Sequence, residues 1–267
     1  MNLLRKEFAP LSEKAWEEIN GAAKDTLLAN LSARKFCDVK GPYGINHTCV
    51  NPGKLKISSG QKEGEVNTGI YDVMPLVEAR KMFTLDIWDL DNLERGAVDV
   101  NLDSVVDAAQ KMAFFEDQLV FNGYKDAGIT GINQAVASDR IKMGLDKDSI
   151  MDGVSEALTR MRKSGITDNA NFIVSPVLYK FLSHLFPGGT LGESVRKKIG
   201  GSVIYSESVD GALLIADREG DTELTIGLDF AVGYHGHNSK TVELFLTESL
   251  AFRVITPEAM IGFSISE

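Results

Sequence analysis

The side chains in this sequence with chemistry to offer are four histidines, two cysteines and one dense run of carboxylates, and their spacing limits what they can do. Of His47, His184, His235 and His237 only the last two are close. An i, i+2 pair on a strand can share a metal, but no cysteine or third histidine stands nearby, and Asn238 and Ser239 mark the pair as a solvated hairpin tip. Cys37 and Cys49 are too few for a disulfide framework and too far apart for a CxxC motif, so they read as two ordinary thiols of a reducing compartment. Asp86, Asp89, Asp91 and Glu94 are dense enough to suggest acid–base catalysis, yet acids crowded beside Arg95 fit an ion-paired interface better. There is no GxSxG elbow, no HExxH and no GxxxxGK[ST], and Gly123, Gly128 and Gly131 mark a helix end rather than a phosphate cradle. No nucleophile is set beside a base. The expectation is no catalytic residue and no metal site.

The carboxylates close the element that the rest of the chain surrounds. Phe83, Leu85 and Ile87 alternate with Thr84, Asp86 and Trp88, which predicts a half-buried strand through Trp88 running into an exposed acidic elbow at Arg95-Gly96. Upstream, Ser12 is a good N-cap, and Trp16, Ile19, Ala23, Leu27 and Leu31 recur at helical spacing with Leu28 widening the stripe. Such a stripe is core, or one edge of it lines a groove, and both can hold. Gly41-Pro42-Tyr43-Gly44 ends this region as a turn.

Residues 51–71 read as a long hairpin around the polar turn Ser58 to Gly64, with little apolar surface. Two strands alone are marginal in water, so this arm is either a loose surface loop or is laid against something else.

Further on, Asn101 or Asp103 caps a long helix carrying Leu102, Val105, Val106, Ala109, Met112, Ala113, Leu119 and Val120. A compact mixed subdomain follows. It has a helix with Ile150, Val154, Ala157, Leu158 and Met161, a buried strand at Phe172 to Val174 and a helix restarted by Ser175-Pro176. The loop Phe186 to Gly192, a short helix through Val195 and Ile199, and strands near 202–206 and 212–216 complete it. Segments 224–227, 228–234, 241–247 and 250–255 then alternate as strands of an antiparallel sheet under the long helix. The apolar residues Ala259, Met260, Ile261, Phe263 and Ile265 are expected to pack on the body or on a neighbour.

At 267 residues and 43% hydrophobic the chain is globular and ample for a real core. A formal charge of −10 argues against nucleic-acid binding, which needs clustered Lys and Arg. No signal-like N-terminus and no run of about 18 apolar residues is present, so the expectation is a soluble, cytoplasmic protein without membrane contact.

Phe8-Ala9-Pro10-Leu11, Arg34-Lys35-Phe36 with Asp38, Gly41-Pro42-Tyr43-Gly44, Phe83 to Gly96 with its run Leu90 to Gly96, Phe115-Glu116-Asp117 and Thr256-Pro257-Glu258-Ala259 together resemble the encapsulins. These are linocin-type shell proteins with the fold of tailed-phage capsid proteins, and the likeness spans nearly the whole chain.

The resemblance implies an α+β capsid fold of peripheral domain, axial domain and extended loop. Its divisions fall at 1–50 (N-terminal helix and start of the peripheral domain), 51–77 (extended loop), 78–132 (peripheral domain with its spine helix), 133–221 (axial domain) and 222–267 (peripheral sheet and C-terminus). It implies a homo-oligomeric icosahedral nanocompartment, of the smallest closed form given the modest length, in which the arm reaches a neighbouring copy. The cargo it implies is a ferritin-like iron-storage protein or a dye-decolorizing-type haem peroxidase, held by a C-terminal targeting peptide at Leu27, Leu31, Arg34, Asp38 and Phe230. It also implies a pore loop of Phe186, Pro187, Gly188, Gly189, Thr190, Leu191 and Gly192, weakly charge-selective because nothing before Glu193 is charged. No cofactor is required. Some members carry flavin stacked on a tryptophan, which makes Trp88 and Arg80 candidate FMN contacts against the alternative of an aromatic wedged at a subunit contact. A prophage capsid packaging DNA and a flavin-binding soluble enzyme are the rival readings.

Overall fold

The computed structural model describes residues 3–62 and 64–266. Helix α1 (Glu13–Asn30) begins where the Ser12 hydroxyl accepts from the Ala15 amide at 3.1 Å, and it buries Ala15, Ile19, Ala23 and Leu27, one residue per turn. Leu28 points away from this stripe and is 63% exposed, so it does not widen the buried face.

The strand that follows the arm, Val77–Asp86, ends two residues earlier than the alternation predicts. Asp86 keeps extended backbone and its carboxylate accepts from the Trp88 amide at 2.7 Å, so it caps helix α2 (Ile87–Glu94), which buries Leu90 and Leu93. Ile87 and Trp88 are therefore helical, and the acidic elbow is a helix with Trp88 on its outer side.

Helix α3 (Asp103–Asn122) starts with the Asn101 side-chain oxygen Oδ1 accepting from the Asp103 amide and runs beneath α1. It stops at Gly123, whose φ of 72° and close approach to the backbone at Ile129 and Gly131 leave no space for a Cβ. The short helix α4 (Ile132–Ala135) follows.

The first sheet lies against α3. Its longest strand, Thr241–Val254, pairs antiparallel with Val77–Asp86 along one side and with Ala231–His237 and Thr222–Ile226 in succession along the other. Val39–Lys40 adds a short parallel edge. Two strands are expected here from the sequence, broken near the polar run Thr247-Glu248-Ser249. The strand stays whole because its polar side chains are held: Thr247 donates to the Ala79 carbonyl at 2.9 Å, Ser249 accepts from the Leu228 amide at 2.7 Å, and Glu248 accepts from Arg34 at one of its two oxygens.

The second sheet has the strand order Gly200–Tyr205, Ala170–Val174, Ala212–Ala216, Met260–Ser266, Ile141–Gly144. Helices α5 (Lys147–Lys163), α6 (Pro176–Leu182) and α7 (Leu191–Ile199) share its core of Ile150, Val154, Phe172, Leu178, Val195 and Phe263. The strand Met260–Ser266 corrects the division at 222–267. Its apolar alternation places it between two strands of the second sheet, not in the first sheet. A shared cluster including Val120, Phe121, Ile173, Leu213 and Phe252 joins the two sheets.

The arm is a hairpin, Leu55–Ile57 against Gly69–Tyr71, pairing Leu55 with Tyr71 and Ile57 with Gly69. Leu55, Ile57, Val66, Ile70 and Tyr71 are all exposed on it. A pairing this short has no hydrophobic face of its own to hold it.

Candidate functional site

Immediately after α1 the chain makes a single 3-10 turn, Ala33–Lys35, and from it Arg34 reaches under the helix. Its Nη2 donates to Glu116 at 2.7 Å, Asp229 at 2.9 Å and Glu248 at 2.7 Å, while its Nε donates to both oxygens of Glu116. Glu116 comes from α3, Glu248 from the long strand, and Asp229 from the turn before Ala231–His237. The Phe230 ring lies 4.9 Å from the guanidinium and covers it from the side. One cation thus ties four parts of the chain together.

Asp117 completes the knot from the next position on α3. Its carboxylate accepts from the Ser32 and Ala33 amides and from the Ser32 hydroxyl, and the Ser206 hydroxyl, 2.9 Å from the Ser32 oxygen, donates to it in turn. Burial pushes the Asp117 pKa up to about 6 even though those three donors favour its charged form. Burial likewise pushes Glu248 well above the usual carboxylate range, followed by the charge of Glu116. Burial alone would lower the Arg34 pKa, but the bond and charge of Glu116 and its other partners outweigh it and raise it.

The residues expected to dock cargo divide into three groups. Arg34 and Phe230 meet in the knot. Leu27 and Leu31 belong to the core at 6% and 5% exposure, in the same cluster that Phe230 packs against from its edge. Asp38 is engaged elsewhere, its carboxylate accepting from the Gly220 amide at 2.6 Å. The sequence reading missed the functional weight of Glu116, Glu248 and Asp229. The signal was present as a Glu-Asp pair interrupting the apolar face of α3, and as Glu248 in phase with Val242, Leu244, Leu246 and Leu250.

The tip of the second sheet is a tight hairpin, Leu185–Phe186 against Gly189–Thr190, turning at Pro187-Gly188. The Thr190 hydroxyl accepts from the Glu193 amide and Glu193 accepts from the Thr190 amide, which starts α7 at Leu191. Leu191 is 1% exposed and belongs to the core, and Gly192 is already helical, so neither is part of the tip. The Lys147 ammonium lies 5.5 Å from the centre of the Phe186 ring, adding a charge that the loop sequence alone does not contain.

Trp88 is 68% exposed, and the cation over its ring is Arg95 at 5.9 Å. Arg80 is otherwise occupied: it donates to Glu78 at 2.9 Å and lies 4.1 Å from the centre of the Phe245 ring. His237 accepts or donates at Nδ1 with the Tyr234 hydroxyl at 2.5 Å, so it sits on a strand rather than free in a tip. Among the described residues no group of three or more His, Cys, Asp or Glu is placed to hold a metal. Cys37 is buried, and burial raises its thiol pKa; Cys49 is exposed, and neither forms a disulfide.

The family model described as "Encapsulating protein for peroxidase" matches residues 1–251. The chain belongs to the encapsulin family. A type 1 encapsulin shell protein of Rhodospirillum rubrum is 37% identical to it, over 98% of this chain and 96% of the relative. One from Mycobacterium tuberculosis is 33% identical over 99% of this chain and 100% of the relative.

Among solved structures, a virus-like particle from Pyrococcus furiosus superposes with a TM-score of 0.65 at 18% identity, covering 92% of this chain and 97% of that one. The capsid of an empty GTA particle does so at 0.57 and 15%, covering 88% and 90%. The fold is therefore that of phage capsid proteins, and this encapsulin is a structural shell protein, as its relatives are named, rather than an enzyme. Its copies build a capsid-like compartment. No helix among its described residues is long and apolar enough to cross a membrane.

Proposed function

We propose that the shell built by this chain is a cytoplasmic nanocompartment that retains a cargo protein, with a C-terminal peptide of the cargo docked at the edge of α1 around Phe230. The observation that carries this reading is the Phe230 ring. It is partly exposed, seated on the buried Arg34 knot and packed against the cluster containing Leu27 and Leu31, with the carboxylate of Asp229 beside it. A fixed apolar ring with an acid at its side suits a short peptide carrying aliphatic side chains and a basic group. A ferritin-like iron-storage protein or a haem peroxidase is the cargo class. The exposed faces of the arm supply contacts between copies, and the modest length favours the smallest icosahedral form.

The test is to fuse the candidate partner's C-terminal peptide to a fluorescent protein and co-express it with the shell. Phe230→Asp is expected to leave assembled shells empty of fluorescence while the native shell retains it. Equal loading of both would sink the reading. Leu31→Asp is the wrong probe, because that side chain is part of the core.

This function does not require flavin. Arg80 lies along Phe245 and pairs with Glu78, so it is not free to meet a phosphate beside Trp88. Shells from flavin-replete cells are expected to be colourless, and flavin absorbance in washed shells would favour FMN stacked on Trp88 instead.

A further inference from the structure

The Arg34 knot holds more acid than one cation can neutralise. Glu116 and Glu248 have fully buried side chains, Asp229 is partly exposed, and Asp117 is buried on the adjoining turn. If all were ionised, one guanidinium would face four negative charges in a region with little water. The charged groups brought by each packed element do not change that balance. The segment after α1 supplies Arg34, Cys37 and Asp38, with Lys35 exposed to solvent; α3 supplies Glu116 and Asp117; the turn before Ala231–His237 supplies Asp229. On the strand Val77–Asp86, Ala79 stands opposite Glu248, and the nearest cation on that face, Lys81, is one pair further along opposite Leu246.

A second observation falls on Glu248 itself. Its Oε1 accepts from Arg34, but its Oε2 is buried with no hydrogen-bond partner while both acids are carboxylates. Two carboxylates can only accept. A proton on Glu248 turns the orphaned oxygen into a donor facing Glu116, and the same proton removes one of the excess charges. Leaving an acceptor pair buried and uncompensated costs more than protonating one member.

We propose that Glu248 carries a proton at neutral pH, that this proton lets one guanidinium bind three acids, and that its loss in alkaline solution unlatches the end of α1 from α3 and the long strand. The step is a simple acid dissociation: the proton leaves Glu248 for solvent hydroxide, and the negative charge left behind repels Glu116. The latch closes the stretch from Leu27 to Phe36, so alkaline opening frees that stretch first. Its effect on docking at Phe230 rests on the function proposed above, but the latch itself does not.

The test uses assembled shells of the native chain and of Glu248→Gln, in which the amide permanently supplies the missing donor. Infrared difference spectra of the native shell are expected to show the carbonyl band of a protonated carboxyl at neutral pH. The band should vanish on alkaline titration and be missing from Glu248→Gln. Amide hydrogen exchange in residues 27–36, corrected for its intrinsic base catalysis, is expected to rise at least about tenfold over the same alkaline titration that removes the band, and to stay flat in the variant. A native shell without the neutral-pH band, a band that survives in Glu248→Gln, or parallel opening of both shells would overturn the proposal. The spectrum of the native shell decides the matter even where the variant fails to assemble. Cargo loading enters none of these readouts, so an error about docking would not be mistaken for an error about the proton.

Discussion

Arg34 and Glu248 lie 2.7 Å apart although 214 positions separate them in the chain. That bond fastens the end of the first helix to the middle of the longest strand, with α3 held between them through Glu116. The end of α1, the helix α3 and the sheet therefore share one electrostatic anchor.

Removing the anchor should be severe. Arg34→Ala strands the buried acids Glu116 and Glu248 without a cation, a change expected to cost about 3–5 kcal/mol. Chemical unfolding would show it as a lower midpoint at unchanged slope. Adding Glu116→Gln to Arg34→Ala should recover part of the loss by removing the stranded charge, whereas additive losses would argue that the residues are not coupled.

The pH dependence has a defined sign. Asp117 has a folded pKa of about 6, above its ordinary value, so the stability it contributes is complete at acid pH and is lost as pH rises through 6. Between pH 7 and pH 5 the native chain should gain about 1 kcal/mol relative to Asp117→Asn. Melting temperatures of both proteins across that interval check it, and a native slope no steeper than the variant's would contradict it.

The arm should matter to assembly and not to the subunit's fold. Ile57 and Ile70 are exposed and support nothing within their own chain. Ile57→Asp or Ile70→Asp forfeits about 1.5–3 kcal/mol of burial at each intersubunit contact. Light scattering should then find small species in place of shells, with the circular dichroism of the subunit unchanged. Intact shells from the double variant would remove the arm from the interface.

A glycine in a strand is ordinarily a weakness, but Gly233 is needed where it stands. A Cβ there would enter the Phe245 ring, whose other side carries the Arg80 guanidinium. Gly233→Ala should cost about 1–3 kcal/mol by overpacking, and Phe245→Leu in the same chain should relieve some of it. Calorimetry on the three variants measures both effects.

Local pattern was enough where neighbours in sequence do the work. The stripe Ile19, Ala23 and Leu27, the cap at Ser12, the helix restarted at Pro176 and the strand at Ala212–Ala216 all follow from spacing and turn chemistry. The misreadings share one cause. Thr247-Glu248-Ser249 looks like a strand break until Arg34 and Ala79 arrive from far away, and Leu27 and Leu31 look like a groove until α3 covers them. At Trp88 the cause is local instead: the alternation runs on past Asp86, but its carboxylate caps α2 and turns Ile87 and Trp88 into helix. Of the site, Arg34 and Phe230 were visible through family likeness alone; the acids around them are distributed over three elements and only folding collects them.

The placement of Met260–Ser266 between Ala212–Ala216 and Ile141–Gly144 sets the order of events during synthesis. The gap between those two strands stays open until residues 260–266 have left the ribosome, so a nascent chain cannot finish its second sheet early. Assembly through the second sheet must therefore wait until those residues have emerged, which keeps half-made chains out of the growing particle.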